Sequence, residues 1–193
     1  MALNKPEIIR CPWCLGDRDY IRYHDKEWGV PLKKSRKLFE FLILDGAQAG
    51  LSWLTILKRR DGYRQAFDNF DPEKMARYGE KEQSRLLKDE RIIRNRLKIR
   101  SAIENARVYC KMEEAGENFA KWLWNWVDGK PIVNRWKTLA EIPASTALSE
   151  GISKELKRKG FSFVGPTIVY AFIQAAGLVN DHLVDCYRYS QIN

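Results

Sequence analysis

The pattern that most limits how this chain can fold is its period. Apolar residues recur at helical spacing over most of the sequence, and no apolar–polar alternation lasts long enough to build a sheet. In residues 35–45, Leu38, Phe39, Leu42 and Ile43 form one apolar stripe, with Ser35 placed to cap the helix start. Gly46 and Gly50 interrupt the pattern, and Leu51, Leu54, Ile56 and Leu57 resume it. Asp71-Pro72 reads as a second helix start. Residues 81–88 and 92–112 are predicted helices. The longer one buries Leu97, Ile99, Ala102, Ile103, Ala106 and Tyr109, and turns Arg91, Arg94, Arg96, Lys98, Arg100 and Arg107 toward solvent or a polyanion. Trp122, Trp124 and Trp126, with Phe119, read as packing wedges. Pro131 and Pro143 bracket an irregular connection, and residues 148–159 form a helix with Leu148, Ile152 and Leu156 inward. The expected class is all-α, as one domain over residues 1–193.

Composition narrows the setting. The chain has 34 Lys+Arg against 25 Asp+Glu, a net charge of +9, enough for a basic face that attracts nucleic acid. Basic proteins without such a partner are common, so charge alone leaves the matter even. A chain that is 45% hydrophobic and 31% charged is not a disordered one. No apolar run approaches the ~20 residues of a membrane span. The opening Met1-Ala-Leu-Asn-Lys-Pro has no apolar stretch of signal-peptide length, so a cytoplasmic protein is expected.

Four cysteines, Cys11, Cys14, Cys110 and Cys186, in such a chain are not expected to form disulfides. The two histidines each sit near a cysteine at opposite ends. Cys11 precedes His24 by 13 positions, and His182 and Cys186 are spaced i, i+4, which on a helix puts them on one face. Two thiolates and two imidazoles would make a closed tetrahedral Zn²⁺ site clipping the ends together. Cys11-Pro-Trp-Cys14 is also a C-x2-C pair, so Cys14 competes with His24 for a place in that set. Unrelated thiols and surface histidines are the plain alternative. Cys110, within a helix, reads as a buried thiol.

Near the other end, a basic helix stops at Gly160, a turn runs through Phe163 and Val164 to Gly165, and Pro166 opens an apolar helix. This has the form of a helix-hairpin-helix, with N–H groups at the second helix able to hold a phosphate and Lys157, Arg158 and Lys159 beside it. A simple helical corner is the competing reading. In the first third, Tyr20, Tyr23, His24, Glu27, Trp28 and Gly29 are followed by Asp45, two glycines and Trp53. Rings at Tyr23 and Trp53 around a planar heterocycle, with an acid for its amine, would suit a base-flipping pocket. Read singly, Asp45 is a polar helix end and Trp53 is core.

Four segments together carry a resemblance: residues 20–29 (YIRYHDKEWG), 46–53 (GAQAGLSW), 160–165 (GFSFVG) and 177–182 (GLVNDH). In this order and spacing they resemble the 3-methyladenine DNA glycosylase I family, over roughly residues 10–187. The resemblance implies a helix-hairpin-helix glycosylase fold and a monofunctional enzyme. It would hydrolyse the N-glycosidic bond of 3-methyladenine in double-stranded DNA by base flipping, leaving an abasic site. It implies one structural Zn²⁺ on Cys11, His24, His182 and Cys186, which leaves Cys14 out. The base pocket falls on Tyr20, Tyr23 and Trp53 with Trp13 nearby, and DNA contact on Gly160, Val164 and Gly165, with Leu51 as a wedge. The family's pocket carboxylate is a glutamate; Asp45 stands here, one methylene shorter, as the catalytic acid group. A monomer is expected.

Asp181, shortly after the hairpin, has two readings: a second catalytic acid, or a partner that orients His182. Two rival functions are a DNA-binding module that releases no base, to which the shorter Asp45 lends weight, and a glycosylase for another alkylated purine.

Overall fold

A computed structural model describes residues 8–192. Among the described residues the helices are α1 (Arg18–Lys26), α2 (Ser35–Gln48), α3 (Trp53–Leu57), α4 (Arg60–Ala66), α5 (Pro72–Ala76), α6 (Glu80–Lys88), α7 (Arg96–Glu114), α8 (Phe119–Trp124), α9 (Ala147–Lys159) and α10 (Pro166–Ala175). A two-residue parallel pair joins β1 (Ile132–Val133) to β2 (Val179–Asn180), with Ile132 opposite Val179. That ladder is too short to leave any alternation in the sequence. No helix among the described residues is long and apolar enough to cross a membrane.

Helix α2 is the centre of the fold, with α3, α7, α8 and α10 packed around it. Every residue from Leu38 to Ala47 is buried, so α2 is a core helix rather than the one-striped surface helix its spacing suggests. Two of those buried residues are acids. Glu40 is matched by Lys37 Nζ at 2.7 Å and Arg64 Nε at 2.8 Å. Asp45 has no such cation among the described residues.

Helix ends follow local chemistry, with corrections. Asp71 caps α5 as expected, accepting the Lys74 N–H at 3.1 Å. Ser35 does not cap α2; it lies inside the first turn, and its Oγ accepts the Ala120 N–H at 3.0 Å, fastening α2 to α8. Asn95 caps α7, so that helix starts later than residue 92. Leu97 is not core but 64% exposed. It lies two residues, about 200° of helix, from buried Ile99, hence on the opposite face. Lys98 is not a solvated cation. Its Nζ donates to the carbonyls of Ala47 and Ala49, both at 2.7 Å, capping the C-terminal end of α2. Trp124 is core, its indole donating to the Leu32 carbonyl, whereas Trp126 stays 38% exposed.

A short turn over residues 160–165 joins α9 to α10. Gly160 closes α9 with φ 101°, a left-handed position suited to glycine, and Pro166 begins α10. Asn105 on α7 braces the turn, accepting the Ser162 N–H at 2.9 Å and donating to the Ser162 carbonyl at 3.0 Å. After α10 the chain passes tightly over residues 29–31. A Cβ on Gly177 would lie 2.5 Å from the Gly29 carbonyl, so only glycine permits this crossing. The C-terminal segment is thereby laid against α1.

Candidate active site and the adjoining cysteine–histidine cluster

A cavity of about 320 Å³ opens between α1, α2, α3 and α10, walled by Trp13, Tyr20, Tyr23, Trp28, Asp45, Gln48, Trp53, Leu139, Ile142, Ala171, Gln174 and Ala175. Ser52 caps α3 and so sets Trp53 at the first position of that helix. Asp45 is reached from the last turns of α2 and is 3% exposed. Burial pushes its carboxyl well above the usual carboxylate range. Among the described residues its Oδ2 has no hydrogen-bond partner, and neither does Trp53 Nε1. Buried polar atoms are nearly always paired. One orphan acceptor and one orphan donor on the wall of one cavity are what a polar, planar ligand would complete.

The aromatic rings are arranged otherwise than the sequence suggested. Tyr23 and Trp53 lie 5.4 Å apart between centroids and are tilted by 45°. A base held between them would need about 7 Å, twice the ~3.4 Å stacking spacing. They touch each other and form one wall, not the two sides of a sandwich. Trp13 closes another side, edge-on to Tyr20 at 4.9 Å and to Trp28 at 4.9 Å.

Behind Trp13 and Trp28 lies a second constellation. The ligand atoms of Cys11, His24, His182 and Cys186 all fall within 4.8 Å of one another, and all four residues are buried. Cys186 Sγ is 3.4 Å from His24 Nε2 and 3.6 Å from His182 Nδ1, and Cys11 Sγ is 3.7 Å from His182 Nδ1. With Zn–S near 2.3 Å and Zn–N near 2.0 Å, a tetrahedral site has S···N edges of about 3.5 Å. The outer ring nitrogens are held as well: His24 Nδ1 by Asp25 at 2.9 Å, and His182 Nε2 by the Trp28 carbonyl at 3.3 Å. Arg10 grips Asp25 through both Nε and a terminal nitrogen. The donor set, its spacing and its outer partners fit a tetrahedral divalent ion. Cys14 is outside the cluster, its thiol donating to the Cys11 carbonyl, and burial pushes it up to about 11.

The cavity's mouth has its own features. Leu51 is 39% exposed and borders a smaller recess of about 160 Å³ shared with Asp45, Gln48, Thr167 and Ile168. It follows Gly50, at φ 75°, and projects beside the N-terminal turn of α10.

A model of the methyladenine glycosylase family matches residues 13–189. The chain belongs to that family. It is 53% identical over 180 residues to the DNA-3-methyladenine glycosylase 1 of Escherichia coli strain K12, covering 93% of this chain and 96% of that protein. Among solved structures, a crystal structure of 3-methyladenine DNA glycosylase I superposes with a TM-score of 0.91 at 51% identity, over 93% of this chain and 98% of the other. The Staphylococcus aureus 3-methyladenine DNA glycosylase I, solved for the basis of its 3-methyladenine recognition, superposes at 0.89 with 39% identity, over 92% and 95%.

Seen as a methyladenine glycosylase, the chain brings Trp13, Tyr20, Tyr23, Asp45 and Trp53 to one cavity and gathers Cys11, His24, His182 and Cys186 behind it. The hairpin residues behave less simply. The Val164 side chain is buried and its carbonyl accepts from Ser153 Oγ at 2.6 Å, so both bind the turn to the core. The Gly160 N–H is already used within α9, which makes Gly160 a helix stop. Gly165 has open space where a side chain would be. Of the nearby cations, Arg158 is paired with Glu155 and Lys159 with Glu117.

Asp181 fits neither of its readings. It is buried and accepts four hydrogen bonds, from Asn134, Trp136, Tyr170 and Gln174. A carboxylate so filled has no lone pair for a substrate, and none of its partners is His182. Sequence reasoning passed over Gln48, Gln174, Leu139 and Ile142 as cavity walls. Gln174 did leave a signal, as a long polar side chain in the otherwise apolar stretch of α10.

Proposed function

We propose that this chain is a DNA-repair glycosylase that hydrolyses the N-glycosidic bond of 3-methyladenine in double-stranded DNA and leaves an abasic site. The relatives named above support the reaction class. The observation that carries it is the pair of unpartnered atoms, Asp45 Oδ2 and Trp53 Nε1, buried on one cavity wall of aromatic rings. The lesion nucleotide turns out of the duplex into this cavity, and Leu51 fills the gap left in the stack.

The chemistry asks little of an acid. N3-methylation makes the base cationic while it is bonded to the sugar. When the C1′–N bond breaks, both electrons go to the ring nitrogen and the base leaves neutral. The sugar becomes an oxocarbenium ion, water adds its oxygen to C1′, and the proton passes to solvent. Asp45 holds the exocyclic amine and, once ionised, stabilises the cationic base and the positive charge that follows on the sugar. A cation in the cavity draws its raised carboxyl back toward ionisation. No lysine among the described residues lines the cavity, which suits hydrolysis without a covalent sugar adduct.

The remaining features serve binding and support. The Val164 and Gly165 N–H groups and the start of α10 form a helix-hairpin-helix contact to phosphates, positioning without reading sequence. Cys11, His24, His182 and Cys186 hold one structural Zn²⁺, a closed set with no place for a reacting water. The enzyme of this proposal acts as a monomer in the cytoplasm.

The test is to incubate methylated duplex DNA with the protein and identify freed bases by chromatography. Release of 3-methyladenine, with strands left intact until treated with alkali, is expected. Release of no base would leave only a DNA-binding module, and release of a different alkylated purine would replace the proposed substrate.

A further inference from the structure

We infer that Asp181 and Gln174 form a positioning pair that makes the cavity select a 6-amino purine over its 6-oxo counterpart. The inference deepens the glycosylase reading and rests on it.

Asp181 lies under the cavity and does not line it. Its Oδ1 accepts from Asn134 Nδ2 at 2.6 Å and Trp136 Nε1 at 2.7 Å. Its Oδ2 accepts from the Tyr170 hydroxyl at 2.6 Å and Gln174 Nε2 at 2.8 Å. With Asn134 and Trp136 donating to Oδ1 and the Tyr170 hydroxyl to Oδ2, the carboxyl group meets the Gln174 amide as an acceptor, on the NH₂ edge. The amide is thereby fixed in one of its two orientations. Its oxygen is left as the free polar atom of a residue that forms part of the cavity wall, and no donor among the described residues reaches Oε1.

A fixed carbonyl oxygen accepts a hydrogen bond from an exocyclic amine. It meets a 6-oxo group lone pair to lone pair, and it cannot rotate to offer its NH₂ without stripping a donor from Asp181. With Asp45 Oδ2 the wall then carries two acceptors, which suits an amine with two hydrogens. Asn134 and Trp136 tie to the same carboxylate the segment that continues to Leu139 and Ile142, so a further part of the wall hangs on the same anchor.

The test measures dissociation constants for two free bases, 3-methyladenine and 3-methylhypoxanthine, by tryptophan fluorescence, in the wild-type protein and in Gln174→Leu. Wild type should prefer the amino base by tenfold or more, and in the variant that ratio should fall at least fivefold. A merely structural role for Gln174 would weaken both bases alike. Gln174→Met, of nearly equal length, replaces the leucine variant if that one does not fold. A preference that survives removal of the amide overturns the inference. Wild-type protein that binds neither base and releases none from methylated DNA overturns the glycosylase reading beneath it, and so the two failures are told apart.

Discussion

Trp13 stands edge-on to His24, with ring centroids 5.4 Å apart, so one indole is at once a wall of the cavity and a wall of the cysteine–histidine cluster. Trp28 repeats the relationship with His182 at 4.6 Å. The cluster and the cavity are therefore coupled, although their residues come from opposite ends of the chain.

The coupling gives the first prediction. Metal analysis should find about one Zn per chain, and Cys186→Ser or chelation should lower Tm by about 8–16 °C, taking an ion at a thousand times its Kd as worth ~4 kcal/mol. Base affinity should fall as well, because Trp13 and Trp28 lose their backing. A metal-free protein with full stability and affinity would refute it.

Asp45 carries a pH signature. Burial holds its folded-state carboxyl well above the unfolded value of 3.8, so the unfolded chain ionises first as pH rises. Folded stability then declines above about pH 4, by linkage. Asp45→Asn has nothing to ionise and should melt a few degrees higher than wild type at pH 7, the difference closing below pH 4. Base release should drop about a hundredfold. Thermal melts across pH, with single-turnover release, measure both.

Leu51 should separate duplex from base. It is 39% exposed and buries little, so Leu51→Ala should leave Tm within about 1–2 °C, as for a surface change near 0.5 kcal/mol. Affinity for free 3-methyladenine should be unchanged, while release from duplex DNA slows. Equal loss on both substrates would count against a wedge.

Lys98 supports the cavity from behind. Lys98→Met removes both hydrogen bonds to the end of α2, on either side of Gln48, and should cost about 1–3 kcal/mol and weaken base binding. Denaturant melts and fluorescence titration report the two effects. A variant as stable as wild type would place the cap elsewhere.

Much of this was legible in the residues. The runs behind α2, α5, α7, α9 and α10 announce themselves by period and by Asp71, Gly160 and Pro166, all local signals. The four cluster residues and five cavity residues came from motif spacing and family resemblance. What stayed hidden is pairing at a distance. Ser35 looks like a cap but serves Ala120, 85 residues on. Lys98 looks solvated but finds carbonyls 49 and 51 residues back. Asp181 has partners up to 47 positions away, and nothing nearby in sequence names them. Tyr23 and Trp53 both line the cavity, yet whether two rings enclose a gap or touch depends on how α1 meets α3.

The account stands on Asp45 and Trp53 offering their unpartnered atoms to a methylated purine. Titrating the free protein with 3-methyladenine and following tryptophan fluorescence tests this most directly. One saturable site per chain is predicted, weakened at least tenfold by Asp45→Asn. No saturable quenching, or quenching that the substitution leaves unaltered, would contradict it.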